Sequence, residues 1–90
     1  SVGVDLVFGE PEGFILPLKS LLSGKQPAVY VVREGRLALV PVKLLGQKQD
    51  LFICEGLLKP GETVVVGDPG LLLRLHPEEK VSPMFLRSAP

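Results

Sequence analysis

Tryptophan is absent from this sequence, cysteine and histidine occur once each, and neither sign of charge is in surplus. Each shortage removes a class of function. With Cys54 alone there is no intramolecular disulfide, and Cys54 plus His76 falls short of the three or four ligands a zinc site takes. Cys54, between Ile53 and Glu55, reads as a small apolar filler of a strand and leaves the redox compartment open. His76 precedes Pro77 in a polar stretch and reads as a surface residue. A nucleophilic triad needs Ser20, Ser23 or Cys54 beside His76 with a carboxylate to orient it, and no local signature groups them. Gly67-Asp68-Pro69-Gly70 lacks the Gly-Lys-Ser/Thr ending of a phosphate loop. No catalytic residue, cofactor or metal is expected, and the chain is read as not an enzyme.

Ten Lys and Arg balance ten Asp and Glu, so the formal charge is zero. Nucleic-acid binders concentrate a basic surplus, and no nucleic-acid partner is expected here. Phe8, Phe14, Tyr30, Phe52 and Phe85 show no spacing of a base-stacking platform. No apolar run reaches the roughly 20 residues of a membrane-spanning helix, so no such segment is expected in this fragment. Ser1 opens directly onto strand-like sequence without a basic flank, and the chain reads as a piece of a longer protein.

What is present is apolar. Hydrophobic residues make up 46% of the sequence, and mean hydropathy is +0.34. That richness implies either a well-filled core or an apolar face covered by something outside this chain. Val2 to Phe8 alternates in part, with Val2, Val4, Leu6 and Phe8 on one side, as a half-buried strand does. Phe14-Ile15-Leu16-Pro17 is a short strand, with Pro17 at its end or at a sheet edge. Leu18 to Leu22 fits one helical turn with Leu18, Leu21 and Leu22 on one face. Ala28–Arg33 and Arg36–Leu45 are the clearest strands, joined in a hairpin at Glu34-Gly35. Pro41 argues for an edge position or a bulge in the second of them. Leu51 to Cys54 is apolar on both faces and reads as buried.

Pro60-Gly61 is a type II turn by residue type: proline fixes φ at the first central position and glycine accepts positive φ at the second. Thr63 to Val66 then extends, with Val64 and Val66, or Val65, filling the core, and Lys59 and Glu62 solvated. Short strands with turn signals every 8 to 12 residues predict an all-β fold, a small roll or barrel of antiparallel strands with at most one helical turn. Arg33, Arg36, Lys43 and Lys48 gather around one hairpin and the next turn. Such a rim ordinarily keeps an edge from aggregating. The sharper reading makes Arg33, Glu34, Arg36 and Lys48 partner contacts.

The order of these pieces resembles the membrane-proximal region of periplasmic adaptor subunits, the membrane fusion proteins of bacterial efflux and secretion systems. Leu16-Pro17-Leu18-Lys19-Ser20-Leu21 resembles the family's apolar-Pro-x-x-Ala-Leu entry, with Ser20 where alanine is common. Ala28 to Leu37 resembles its "VYVV-x-x-G-x-A" hairpin, and Val40-Pro41-Val42 its Arg-Pro-Val without the arginine. Glu55 to Val66 is similar to "SGL-x-PGD-x-VVV". Gly70 to Val81 resembles the closing "G-x-x-x-L-x-D-G-x-x-V", with Glu78-Glu79-Lys80 where Asp-Gly is typical. The resemblance implies that residues 14–81 form the membrane-proximal β domain, 1–13 the end of a preceding barrel or a linker, and 82–90 a tail. It also implies a non-enzymatic, periplasmic role in a parent anchored to the inner membrane. Partners would be the periplasmic part of an inner-membrane transporter and neighbouring adaptor protomers, in an assembly that reaches an outer-membrane channel. The alternative is a stand-alone small β-barrel module binding a peptide, sugar or nucleic acid.

Overall fold

A computed structural model describes residues 2–81. The tail expected over 82–90, including Phe85, lies outside the described residues. Seven strands run in chain order: β1 (Val2–Leu6), β2 (Phe8–Glu10), β3 (Gly13–Pro17), β4 (Ala28–Arg33), β5 (Arg36–Lys48), β6 (Leu51–Gly56) and β7 (Thr63–Gly67). A 3₁₀ turn at Leu18–Ser20 follows β3, and a four-residue helix, α1 (Pro69–Leu72), follows β7. The fold is all-β.

The strands form one antiparallel sheet in the order β1-β7-β4-β5-β6-β3-β2. It curls into a half-barrel because two elements serve both of its halves. β5 pairs with β4 through Arg36–Pro41 and with β6 through Val42–Lys48. At the other seam, β1 and β2 are consecutive in the chain yet lie at opposite ends of the strand order. Val7 joins them: its N–H donates to Glu62 O at 2.8 Å, and its carbonyl accepts from Gly61 N at 2.8 Å.

Val2 to Phe8 is therefore two strands, and residues 2–10 belong to the same sheet as 14–67. The expected facing fails with it. Val7 and Gly3 are buried, whereas Leu6 and Phe8 are exposed. The bend at Val7 hands the chain from one half-sheet to the other, so no single alternation spans the stretch.

Pro41 is not in a bulge, but it stands at a local edge of an otherwise central strand. β5 is a central strand, and its one register shift lies between Leu44 and Gly46. Val42 N donates to Pro27 O, just ahead of β4, at 2.9 Å, so the nitrogen of Pro41 faces the opposite flank. On that flank β6 has already ended, at Gly56 opposite Val42. The missing N–H costs no ladder bond there.

The turns follow from residue type. Glu34 and Gly35 both take positive φ, 52° and 73°, as a two-residue hairpin loop requires. Gly61 has φ 83° behind Pro60, and Glu62 N closes the turn on Lys59 O at 3.1 Å.

Two apolar clusters lie on opposite sides of the sheet. The main core holds Val7, Phe14, Leu16, Val29, Val31, Val40, Val42, Phe52, Cys54, Leu58 and Val64 inside the half-barrel. The second cluster lies on the outer face of β1-β7-β4-β5 and holds Tyr30, Leu37, Val65 and Leu72, with Val2, Val32, Leu75 and Val81 against it. Val64 and Val65 are thus both buried, one on each side, because β7 is covered on both faces.

The second cluster exists because residues 68–81 wrap that outer face. Leu72 of α1 is 1% exposed, and Tyr30 Oη donates to Leu75 O at 2.9 Å. The wrap ends by pairing with β5: Glu78 N donates to Leu37 O, Leu37 N to Glu79 O, and Val81 N to Gly35 O, all within 2.6–2.9 Å.

Candidate functional site

Strand pairing places side chains at matched positions on one face, so the register shows what each face offers. On the half-sheet β5-β6-β3-β2, Phe14, Leu16, Phe52 and Cys54 point into the core. Their neighbours in sequence point out. Phe8 pairs with Ile15, and Ile15 with Ile53, making an apolar row straight across three strands. Pro17 pairs with Leu51, which pairs in turn with Lys48. Phe8 is 60% exposed, Leu51 44%, Ile15 42% and Ile53 40%. No described residue covers this row. Leu51–Cys54 is therefore half-buried and not buried on both faces, because nothing on the outside matches the wrap that residues 68–81 provide elsewhere. This face is the candidate site, an interaction surface.

Charges border it. Glu10 pairs with Gly13 on one side, and Lys43 pairs with Glu55 on the other. Lys48 stands at the rim beside Leu51. Of the four cations read as one group, Lys48 and Arg36 sit at opposite ends of the thirteen-residue β5. Curling of one long strand separates what sequence proximity had joined.

The hairpin cations are engaged within the fold. Arg33 Nε donates to Glu62 Oε2 at 2.6 Å, and its Nη2 to Glu62 Oε1 at 3.3 Å and Leu57 O at 2.7 Å. Glu62 also accepts from Lys59 N at 3.0 Å. The side chain of Glu62 is only 14% exposed, so it is not the solvated group its position in a turn implied. Burial pushes its pKa up, but the bonds from Arg33 and Lys59 N and the nearby positive charges outweigh it, and the carboxyl is held below its ordinary range. The hydrogen bond to Glu62 likewise raises Arg33, against the opposing effect of burial. Arg36 Nη1 donates to Glu78 O at 3.2 Å and so anchors the wrap. Glu34 is exposed at the hairpin tip. Pro60 and Gly61 shape the turn that Val7 grips.

The remaining reactive groups are accounted for by structure. Burial pushes the Cys54 thiol up to about 11, which keeps it protonated at neutral pH. Ser20 is buried and donates to Pro17 O at 2.7 Å. Tyr30 is raised by burial and then by Glu79. His76 is exposed, and its backbone N–H donates to Glu79 Oε1 at 3.1 Å. Among the described residues, no three His, Cys, Asp or Glu side chains group as metal ligands. No helix among them is long and apolar enough to cross a membrane.

A cleft of about 470 Å³ opens beside the 3₁₀ turn, lined by Leu18, Leu21, Leu22, Gln47, Pro69 and Leu73 among others. Sequence reasoning did not anticipate this cleft, and it allowed for an apolar face covered from outside the chain without placing it on Phe8, Ile15 and Ile53. Comparison with known proteins returned no matching family model, no matching curated protein and no matching solved structure.

Proposed function

We propose that this chain is a non-enzymatic interaction domain of a periplasmic adaptor, a membrane fusion protein that links an inner-membrane transporter to an outer-membrane channel. Its parent is held at the inner membrane, and the domain works as a rigid β element that presents a docking face. The observation that carries this reading is the uncovered apolar row Phe8-Ile15-Ile53 with Leu51 beside it. Contiguous apolar surface of this kind on a small domain marks a contact site. The sequence motifs supply the family. They fall on the 3₁₀ entry, the β4–β5 hairpin and the Pro60-Gly61 turn, which frame the half-barrel.

The test places a photo-crosslinking amino acid at position 34, on the exposed hairpin tip outside the apolar row, in the full-length parent in living cells. The expected product joins the parent to an integral inner-membrane transporter, identified by mass spectrometry, with the parent in the periplasmic fraction. A parent retained in the cytoplasm, or one that yields no crosslink to any transporter, would remove the adaptor reading.

A further inference from the structure

The outer face of β2-β3-β6-β5 carries a pattern that matches its own two-fold image. Three cross-strand rows stand outward. The first reads Glu10, Gly13, Glu55, Lys43: Glu10 pairs with Gly13 and Glu55 with Lys43. One step past Phe14↔Cys54, the β3–β6 register sets Gly13 beside Glu55. The second row reads Phe8, Ile15, Ile53, Gly46, and the third Pro17, Leu51, Lys48. Acid lies at the β2 margin of the first row and base at its β5 margin.

Consider a second copy laid face to face about a two-fold axis parallel to the strands. The column order reverses while the rows stay level. Glu10 then meets Lys43 of the second copy, and by symmetry the pair forms twice. Ile15 lies over Ile53 of the second copy, also twice. Phe8 comes over Gly46 of the second copy, where, its chain neighbours aside, nothing stands within 4 Å of the place a Cβ would occupy. Rotation about the other in-plane axis sets Glu55 over Leu51 instead, burying a carboxylate against an apolar side chain at a cost in desolvation. Packed sheets lie about 10 Å apart with their side chains interdigitated, a gap these side chains span.

We propose that this face is a self-pairing surface, across which two copies of the chain pack sheet to sheet with Ile15 against Ile53 and Glu10 against Lys43. The proposal rests on the reading of this face as the interaction surface and names its occupant. Like charges placed at matched positions oppose association, so the pairing also fixes the orientation.

Sedimentation equilibrium on the 90-residue chain tests it. The unsubstituted chain should dimerise, and Ile53→Asp should be monomeric with an unchanged circular dichroism spectrum. Glu10→Lys alone and Lys43→Glu alone should each weaken self-association by about tenfold or more, since each sets two like-charged pairs face to face. Mixing the two single variants should restore dimers, because every pair in the mixed species is again opposite in sign. A chain that stays monomeric at about 1 mM overturns the proposal. So does a mixture that associates no better than either variant alone. Should the chain be monomeric while position 34 of the parent still crosslinks to a transporter, self-pairing fails and the adaptor reading stands. A dimer from a parent that reaches no transporter gives the converse.

Discussion

The two halves of the curled sheet share a core and differ in what lies outside them. On β1-β7-β4-β5, residues 68–81 cover the middle of the outer face and bury Tyr30, Leu37 and Val65, while Leu6 and Leu39 stay exposed at its margins. On β5-β6-β3-β2 the corresponding outward positions hold Phe8, Ile15, Leu51 and Ile53, all exposed. Both outer faces are apolar in sequence. One was supplied with cover by its own chain, and the other was not. Apolar side chains on a strand thus report that a face has a partner, and only the fold reports whether the partner is internal.

The comparison can be broken by cutting equal volumes from each side. Leu72→Ala removes a side chain buried between α1 and the covered face, and should lower the unfolding free energy by about 2–5 kcal/mol in urea titration. Loss of less than about 1 kcal/mol would mean that the wrap adds little to stability. Tyr30→Phe leaves the Leu75 carbonyl without its donor and should cost about 1 kcal/mol. Hydrogen exchange in that variant should quicken over 72–81 first, because the wrap loosens before the sheet does.

Glu62 sharpens the comparison at the seam between the halves. Its folded-state pKa is held below the ordinary carboxylate range, so it adds stability above its unfolded pKa of about 4.3. That contribution is lost as pH falls through the lower folded value. Glu62→Gln should show a flatter decline of the urea midpoint between about pH 4.5 and pH 2. An unchanged acid limb would mean that the Arg33 contact does not persist in solution. The smallest effect is expected on the open side, where Ile53→Ala should stay within about 0.5 kcal/mol of the unsubstituted chain under monomeric conditions. A larger loss would place something over that face.

Local chemistry made some of this legible in advance. The Pro60-Gly61 turn and the Glu34-Gly35 hairpin follow from φ preferences that act within two residues. The all-β class follows from short β-branched runs between turn residues. The 3₁₀ turn after Pro17 and the clearest strands, β4 and most of β5, also came from sequence. Facing was harder. Alternation sorts a strand's side chains into two sets but does not say which set meets the core. Leu51–Cys54 carries apolar residues in both sets, and the sequence of β6 alone cannot tell Phe52 from Ile53.

The candidate site was the least legible part, since it depends on register among strands far apart in the chain. Phe8, Ile15 and Ile53 form one row only after β3 has paired with both β2 and β6. Glu62 read as a solvated charge and Arg33 as a rim or partner-contact charge, until the fold brought these residues, 29 apart in sequence, within 2.6 Å.

Sequence by itself determined where the chain turns, where it extends, and that it carries more apolar surface than a solvated edge needs. Those properties arise from steric and solvation preferences of neighbouring residues. Tertiary structure decided that β1 and β2 part at Val7, that residues 68–81 cover one outer face, and that the other stays open. Those outcomes arise from pairing between distant segments, where closing one contact selects which side of every later strand meets water.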